Sequence, residues 1–196
     1  MKTDVLLVSS SGNQIEQALD QAEKVAAYKG LSAKNALHLR LLTEEMMGMM
    51  RSITGETEGR FWIEDHDGEF QLHLLVNTRM DMDKRDQLLS VSTSGKNEAA
   101  KGLMGRLRSF FDQGADMPYI PMYHADMMGE ATGAALDWEW SMMDYENELR
   151  QWTDKDDKAR EMWDEIEKSV VSHVADEIKV SIRGPKAEMI IMKKMV

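Results

Sequence analysis

Hydrophobic positions divide the start of the chain into a strand and a helix. Val5 to Val8 is a short apolar run, typical of a buried strand. Apolar residues between Ile15 and Ala26 recur at steps of three and four, which predicts an amphipathic helix. Gly30 is placed to end that helix, and Ser32 to cap the next one.

The second predicted helix has two adjacent stripes that together make a broad, mostly apolar face. The first stripe comprises Ala36, Leu39, Thr43, Met46 and Met50, and the second comprises His38, Leu42, Glu45 and Met49. A carboxylate within such a face is costly unless it is paired or faces a pocket. Glu45 is therefore either a rim residue of an apolar stripe or a candidate functional group.

Two β-hairpins are predicted, one in the first half of the chain and one at its end. Phe61 to Glu64 and Phe70 to Val76 alternate apolar and polar residues around an Asp-Gly pair at 67–68, which is a strong turn signal. Glu177 to Ile182 and Ala187 to Met192 repeat this arrangement around Gly184. The expected fold class is therefore α+β.

The segment between these hairpins is the least regular part of the chain. Helix is expected from about 135 to 150, and an amphipathic helical period runs from Ala159 to Val174. No internal repeat or low-complexity linker marks a boundary. We expect a single domain over 1–196, with a mainly helical insertion at 113–175 before the final hairpin.

Composition narrows the classes of function. The net charge of -11 argues against a nucleic-acid binder and leaves protein partners or small ligands. There is no cysteine, and neither a signal peptide nor a membrane span is visible, so a cytoplasmic protein is expected. The 18 methionines either fill an irregular core or form a partner surface. The oligomeric state is left open.

The other candidate motifs are incomplete. Gly95-Lys96 lacks the first glycine of a phosphate-binding P-loop and is followed by Asn97 in place of the hydroxyl residue. The five histidines have no zinc-site spacing, and the acidic clusters lack a calcium-loop pattern. No metal site is expected.

Element order and the step from Leu42 to Glu45 make the chain similar to the GHKL (histidine-kinase-like) ATPases, especially anti-sigma-factor and histidine-kinase ATP-binding domains. The stretch from Lys101 to Leu107 resembles the glycine-rich box of that family. The resemblance covers residues 4–112 and 176–194. It implies a two-layer α/β sandwich of the GHKL (Bergerat) type, a mixed sheet with helices on one face, and nucleotide bound between the helices and a lid.

The resemblance also implies roles for individual residues. Glu45 matches the catalytic base, and the implied nucleotide-binding positions are Met49, Asn77, Gly95, Lys96, Gly102 and Gly105. Two of these depart from the family pattern. Met49 replaces the magnesium-binding asparagine, and a thioether is a poor ligand for magnesium. Asn77 stands where the adenine-binding aspartate is expected, without the glycines that follow it in the family.

The leading hypothesis is a regulatory module that binds ATP or ADP, or whose ancestors did, without efficient phosphoryl transfer, which makes a magnesium cofactor doubtful. One alternative is a protein-interaction scaffold that uses the methionine- and tryptophan-rich region 117–152 and binds no nucleotide. The other is an active ATPase or kinase with Glu45 as base and Glu44 or another oxygen ligand in place of the missing asparagine.

Overall fold

The computed structural model describes residues 1–9, 14–54, 58–77, 138–153, 160, 163–164, 169–183 and 186–195. The predicted glycine-rich box at 101–107 and most of the predicted insertion at 113–175 lie outside these residues. The following description concerns the described ranges.

The described strands form one six-stranded sheet with the order β1-β2-β3-β6-β5-β4. Every pairing between these strands is antiparallel. The strands are β1 (Leu6–Ser9), β2 (Glu58–His66), β3 (Glu69–Asn77), β4 (Trp138–Ser141), β5 (Glu177–Arg183) and β6 (Lys186–Lys194). Both predicted hairpins are confirmed, and their strands are longer than the alternating apolar runs suggested.

Four named helices accompany the sheet in the described part of the chain. They are α1 (Gln14–Tyr28), α2 (Ala33–Thr54), α3 (Met142–Trp152) and α4 (Val170–Val174). The first two confirm the predicted pair. The helix predicted from Ala159 to Val174 is described only in part, and the extended backbone of Ser169 separates α4 from what precedes it.

A tight joint connects α1 to α2. Gly30 has a φ of 61°, and the Leu31 amide donates to the Ala26 carbonyl at 3.0 Å, which satisfies a carbonyl at the end of α1. The Ser32 hydroxyl then accepts from the Asn35 amide at 3.3 Å at the start of α2. Glycine and serine therefore perform the stop and start functions that their positions predicted.

The β2–β3 turn follows the chemistry of its Asp-Gly pair. Asp67 has a φ of 54° and Gly68 a φ of 90°. Positive φ at both positions is the requirement of a type I′ two-residue turn, and glycine and aspartate tolerate it better than most residues. This turn fixes the register in which Asp65 faces Phe70 and Trp62 faces His73.

One face of the sheet forms the hydrophobic core together with the helices. The core residues from the strands are Val8, Phe61, Ile63, Phe70, Leu72, Leu74, Val76, Ile178, Val180, Ala187, Met189 and Ile191. Helices α1, α2 and α4 pack against this face, and α3 joins it through Met142. The α+β class is confirmed. We call the opposite side of the sheet the outer face.

The sheet differs from the mixed sheet that the family resemblance implied. All five pairings of described strands are antiparallel. Two pairings arise from hairpins whose strands must run in opposite directions. The central β3–β6 pair is also antiparallel, so the described residues supply no parallel neighbour.

The helix predicted from about 135 to 150 is wrong at its start. Residues Trp138–Ser141 form β4, which pairs with β5, and the helix begins at Met142. Large apolar residues alternate with polar ones at 138–141, which fits a strand, and the Ser141 hydroxyl accepts from the Asp144 amide to cap α3. The sequence therefore contained a helix start signal inside the predicted helix.

Candidate functional site

Glu45 lies on α2 and is half-buried. Its neighbour Glu44 is exposed, whereas Leu42 and Met46 on the same helix are fully buried. The carboxylate thus sits at the border between the core and the surface, as the two-stripe pattern predicted. This position suits a rim residue and also a group that faces a ligand.

Met49 lies in the hydrophobic core and is only 1% exposed. It is one of four methionines on α2 that are almost completely buried, the others being Met46, Met47 and Met50. A buried thioether offers no hard oxygen donor to a cation such as magnesium. At this position of α2 the chain therefore has packing in place of metal-binding chemistry.

The second half of α2 lies over the start of β2 and the end of β3. A Cβ atom added at Gly59 would be 3.0 Å from the Met50 sulfur and 3.0 Å from Val76 Cγ1. These are close contacts, so the glycine allows α2 to approach the sheet at this end. Met49 and Met50 are consequently placed near the strand end that precedes Asn77.

Asn77 does not share this side of the sheet. Val76 points into the core below α2, and because side chains alternate along a strand, Asn77 lies on the outer face. There it lines an open groove of ≈ 280 Å³ together with Leu7, Glu58, Gly59, Arg60 and Leu75. The structure thus places Glu45 and Met49 on one side of the sheet and Asn77 on the other.

The remaining candidate residues belong to the segment between β3 and β4. Gly95, Lys96, Gly102 and Gly105 lie outside the described residues. Their roles stay predictions that rest on the family resemblance.

A charged network joins the α1–α2 joint to the β2–β3 hairpin. The Lys29 ammonium pairs with the buried Asp65 carboxylate, which also accepts from the Gly68 amide at 2.9 Å. The Lys29 hydrogen bond, followed by the Gly68 amide, holds the pKa of Asp65 below its usual value despite burial. This buried charge is compensated, and its role is to fix the turn relative to the helices.

A second polar cluster lies on the outer face. Trp62 and His73 stack with ring centroids 4.7 Å apart and an interplanar angle of 8°. The Glu64 carboxylate accepts from Lys2 and from the indole N–H of Trp62, both at 2.9 Å. Hydrogen bonds from Lys2 and then Trp62 lower the pKa of Glu64 to about 2.

His73 continues this cluster towards β6. It is 7% exposed, and its Nδ1 lies 3.1 Å from a carboxylate oxygen of Glu188. The histidine spacing of the sequence does not distinguish His73 from the other four histidines. The signal that identifies the pair was present in the hairpin register, because an Asp-Gly turn at 67–68 sets Trp62 opposite His73.

The described residues include neither a candidate metal site nor a candidate membrane-spanning helix. No group of three or more histidine, aspartate or glutamate side chains there could hold a metal ion. No helix in the same ranges combines the length and hydrophobicity that a membrane span requires.

Comparisons with known proteins give no relative for this chain. No protein-family model, no curated protein and no solved structure matches it.

Proposed function

We propose that this chain is a divergent protein of the histidine-kinase-like ATPase type that acts as a regulatory, nucleotide-binding module in the cytoplasm. In this proposal it binds ATP or ADP without efficient phosphoryl transfer. The layer formed by α1 and α2 on one face of the sheet supports it, as does the half-buried carboxylate of Glu45 on α2.

The burial of Met49 is the observation that carries the proposal. Phosphoryl transfer needs a cation to neutralise the charge that develops on the phosphate oxygens. Met49 fills the position that the resemblance assigns to the cation ligand, and its side chain is 1% exposed in the core. In this proposal the helix layer and the glycine-rich segment hold the nucleotide, and the missing metal ligand at Met49 prevents its turnover.

The nucleotide pocket of this proposal consists of Glu45 and the segment that carries Gly95, Lys96, Gly102 and Gly105. Asn77 is left out of this pocket because it lies on the outer face. Amides and a lysine can hold an anion without a metal, which is the role given to the glycine-rich segment.

The glutamate pair on α2 offers a matched test. In a pocket without a metal, the Glu45 carboxylate repels the phosphates, so Glu45→Gln should tighten ATP binding roughly 3- to 5-fold. The exposed neighbour Glu44 serves as the control, and Glu44→Gln should leave affinity unchanged. Equilibrium dialysis with radiolabelled ATP, in magnesium or in EDTA, measures both effects.

The same samples distinguish binding from catalysis. The proposal expects saturable ATP binding and no steady release of phosphate. Magnesium-dependent turnover that disappears in Glu45→Gln would instead establish an active ATPase or kinase with Glu45 as base. Equal affinity of wild type, Glu44→Gln and Glu45→Gln for ATP would remove Glu45 from the pocket.

An exposed methionine on α3 supports a second candidate, a protein-interaction scaffold. Met142 is buried at 3% exposure, whereas the adjacent Met143 is 51% exposed, and Trp140 and Tyr145 are half-buried nearby. Methionine side chains adapt well to partner surfaces. Fluorescence quenching by acrylamide tests this candidate, because a monomer with every tryptophan protected would argue strongly against it.

A further inference from the structure

Three exposed cations lie at one end of the outer face. Arg60 is on β2, Arg183 ends β5 and Lys186 begins β6. Lys186 faces Asn77 on one side and Arg183 on the other, and Arg60 faces Leu75, which lies two residues from Asn77 along β3. The three cations therefore lie close together on three of four adjacent strands, with β3 between Arg60 and Lys186.

These cations differ from others of the sheet in having no counter-charge. Lys2 pairs with Glu64 and Lys179 approaches Glu139 at 4.0 Å. Within the ranges that the structure describes, Arg60, Arg183 and Lys186 make no ion pair. In a chain of net charge -11, these three cations outnumber the two carboxylates beside them, Glu58 and Glu188, and so form a small positive patch on an acidic molecule.

A groove with both polar and apolar lining residues adjoins this positive patch. Leu7 and Leu75 line it beside the Arg60 side chain and the Asn77 amide, and its volume is ≈ 280 Å³. Leu7 is 70% exposed, so it forms an uncovered wall. Neighbouring strands are about 4.8 Å apart, so the patch spans about 14 Å from β2 to β5.

We propose that this end of the outer face binds an extended acidic segment of a protein partner. Its carboxylates pair with Arg60, Arg183 and Lys186, and an apolar side chain enters the groove between Leu7 and Leu75. An extended peptide rises about 3.3 Å per residue, so four or five residues cover the patch. The site lies on the opposite side of the sheet from α2 and does not depend on the nucleotide pocket.

The chain's overall charge favours a short segment over a polyanion. Nucleic acid and anionic membranes present long arrays of negative charge, which a molecule of net charge -11 repels beyond the patch. A peptide with a few carboxylates is attracted by the nearby cations and extends little beyond them. This charge complementarity selects a peptide as the partner.

Two carboxylates lie near the patch and affect the specificity. Glu188 is already engaged by His73 at 3.1 Å. Glu58 lines the groove, is exposed and makes no ion pair in the described part of the chain. The Glu58 carboxylate repels an acidic segment. Its removal should therefore tighten binding, whereas removal of a cation should weaken it.

The test uses the peptide Gly-Asp-Leu-Glu-Asp-Gly-amide, labelled with fluorescein at its N-terminal amine, and the whole chain. The matched control replaces its Asp and Glu residues by Asn and Gln. Anisotropy should show saturable binding of the acidic peptide with a Kd of about 1 mM or below. Binding should weaken as salt increases, because exposed charges are screened.

Single substitutions then locate the site. Arg60→Gln, Arg183→Gln and Lys186→Gln should each weaken binding up to about 5-fold, as for exposed ion pairs, and Glu58→Gln should tighten it by a similar factor. Lys34→Gln, an exposed lysine on α2, should change nothing. All these side chains are exposed, so the variants should fold, which circular dichroism checks.

Three results would overturn the proposal. The first is no saturable binding of the acidic peptide at concentrations several times the expected Kd of about 1 mM. The second is equal binding of the neutral peptide, which would remove charge as the cause. The third is tighter binding of an oligothymidylate or of phosphatidylserine vesicles, lost in Arg60→Gln, which would identify a polyanion as the ligand.

Discussion

Adjacent residues of one strand lie on opposite sides of the sheet, so the outer face and the face under the helices carry different functional groups. Val76 and Asn77 are adjacent in sequence, yet one packs below α2 and the other lines the groove with Arg60. The sequence predicted a strand that ends at Val76, one residue before the end of β3, and so did not reveal the side on which Asn77 lies. Strand alternation assigns Asn77 to the outer face only once the end of β3 is known.

The burial of Met49 predicts how much a substitution there changes the free energy of unfolding. Met49→Asn introduces the oxygen ligand that the family resemblance implies at this position, but it places an amide in a site that is 1% exposed. We expect a loss of about 3 kcal/mol in the free energy of unfolding from lost packing and desolvation. Urea denaturation measures it. Met143→Asn, at a residue that is 51% exposed, is the control and should change stability little.

Met49→Asn should also change how nucleotide binding responds to magnesium. If the variant folds, the amide oxygen should make nucleotide binding respond to magnesium, which wild type should not. A magnesium response of equal size in wild type and variant would contradict the role given to Met49.

Element by element, periodic signals predicted most of the described fold. The helices α1 and α2, their Gly30–Ser32 joint and both hairpins followed from apolar spacing and turn residues. The strand β4 did not, because four residues before a helix give too short a pattern to separate from the helix itself. Its pairing with β5 is a long-range contact that local sequence does not encode.

The start of α3 depends on a carboxylate from another element. Glu177 at the start of β5 accepts from the Met143 amide and from the Ser141 hydroxyl, both at 3.2 Å, and it is 8% exposed. A negative charge at a helix N-terminus is favourable. We expect Glu177→Gln to lower the free energy of unfolding by about 1 to 2 kcal/mol, because charge-assisted hydrogen bonds are replaced by weaker ones.

Thermal or urea denaturation with hydrogen exchange on the α3 amides checks this expectation. The control is Glu139→Gln, because the Glu139 carboxylate is exposed and comes no closer than 4.0 Å to Lys179. Loss of α3 protection in Glu139→Gln but not in Glu177→Gln would contradict the assigned anchor.

The joint between helices and hairpin gives a third expectation. Asp65→Asn keeps an acceptor for the Gly68 amide but removes the ion pair with Lys29. The cost should be about 1 to 2 kcal/mol, since a buried hydrogen bond to a charged group is replaced by a neutral one. Urea denaturation compares it with Asp67→Asn, which lies in the turn with a φ of 54° and should be neutral because asparagine tolerates that conformation. An equal loss in both would assign the effect to the turn.

For the whole molecule, the pattern of apolar residues predicts that the helices pack on one face of the sheet. It does not predict the order of the strands within the sheet. The resemblance implied a mixed sheet, and the described strands form an antiparallel one. Sequence spacing shows which segments are strands, but the neighbour of each strand depends on packing across the whole core. The groups that stand together on the outer face, such as Arg60 and Lys186, are therefore visible only in the structure.

Acid should destabilise the molecule through its paired carboxylates. The pKa of Glu64 falls from its usual 4.5 to about 2 on folding, and that of Asp65 is also lowered. The unfolded chain therefore binds more protons in this range, so the stability from Glu64 is present above pH 4.5 and is lost as pH falls towards 2. Urea denaturation between pH 6 and about pH 3 should show this decline.

Glu64→Gln isolates its contribution. The variant should lose up to about 1 to 2 kcal/mol at neutral pH, after allowance for solvent screening, and show a shallower decline in acid. An unchanged pH slope would contradict the role given to the contacts from Lys2 and Trp62.

The central claim is that this molecule binds nucleotide without needing magnesium. A thermal-shift titration with ATP and ADP, each with magnesium and with EDTA, tests it most directly, because a ligand that binds only the folded state raises the unfolding temperature. The account predicts a saturable rise of the same size in magnesium and in EDTA. No rise at millimolar nucleotide would contradict nucleotide binding, and a rise that requires magnesium would contradict the loss of the metal site at Met49.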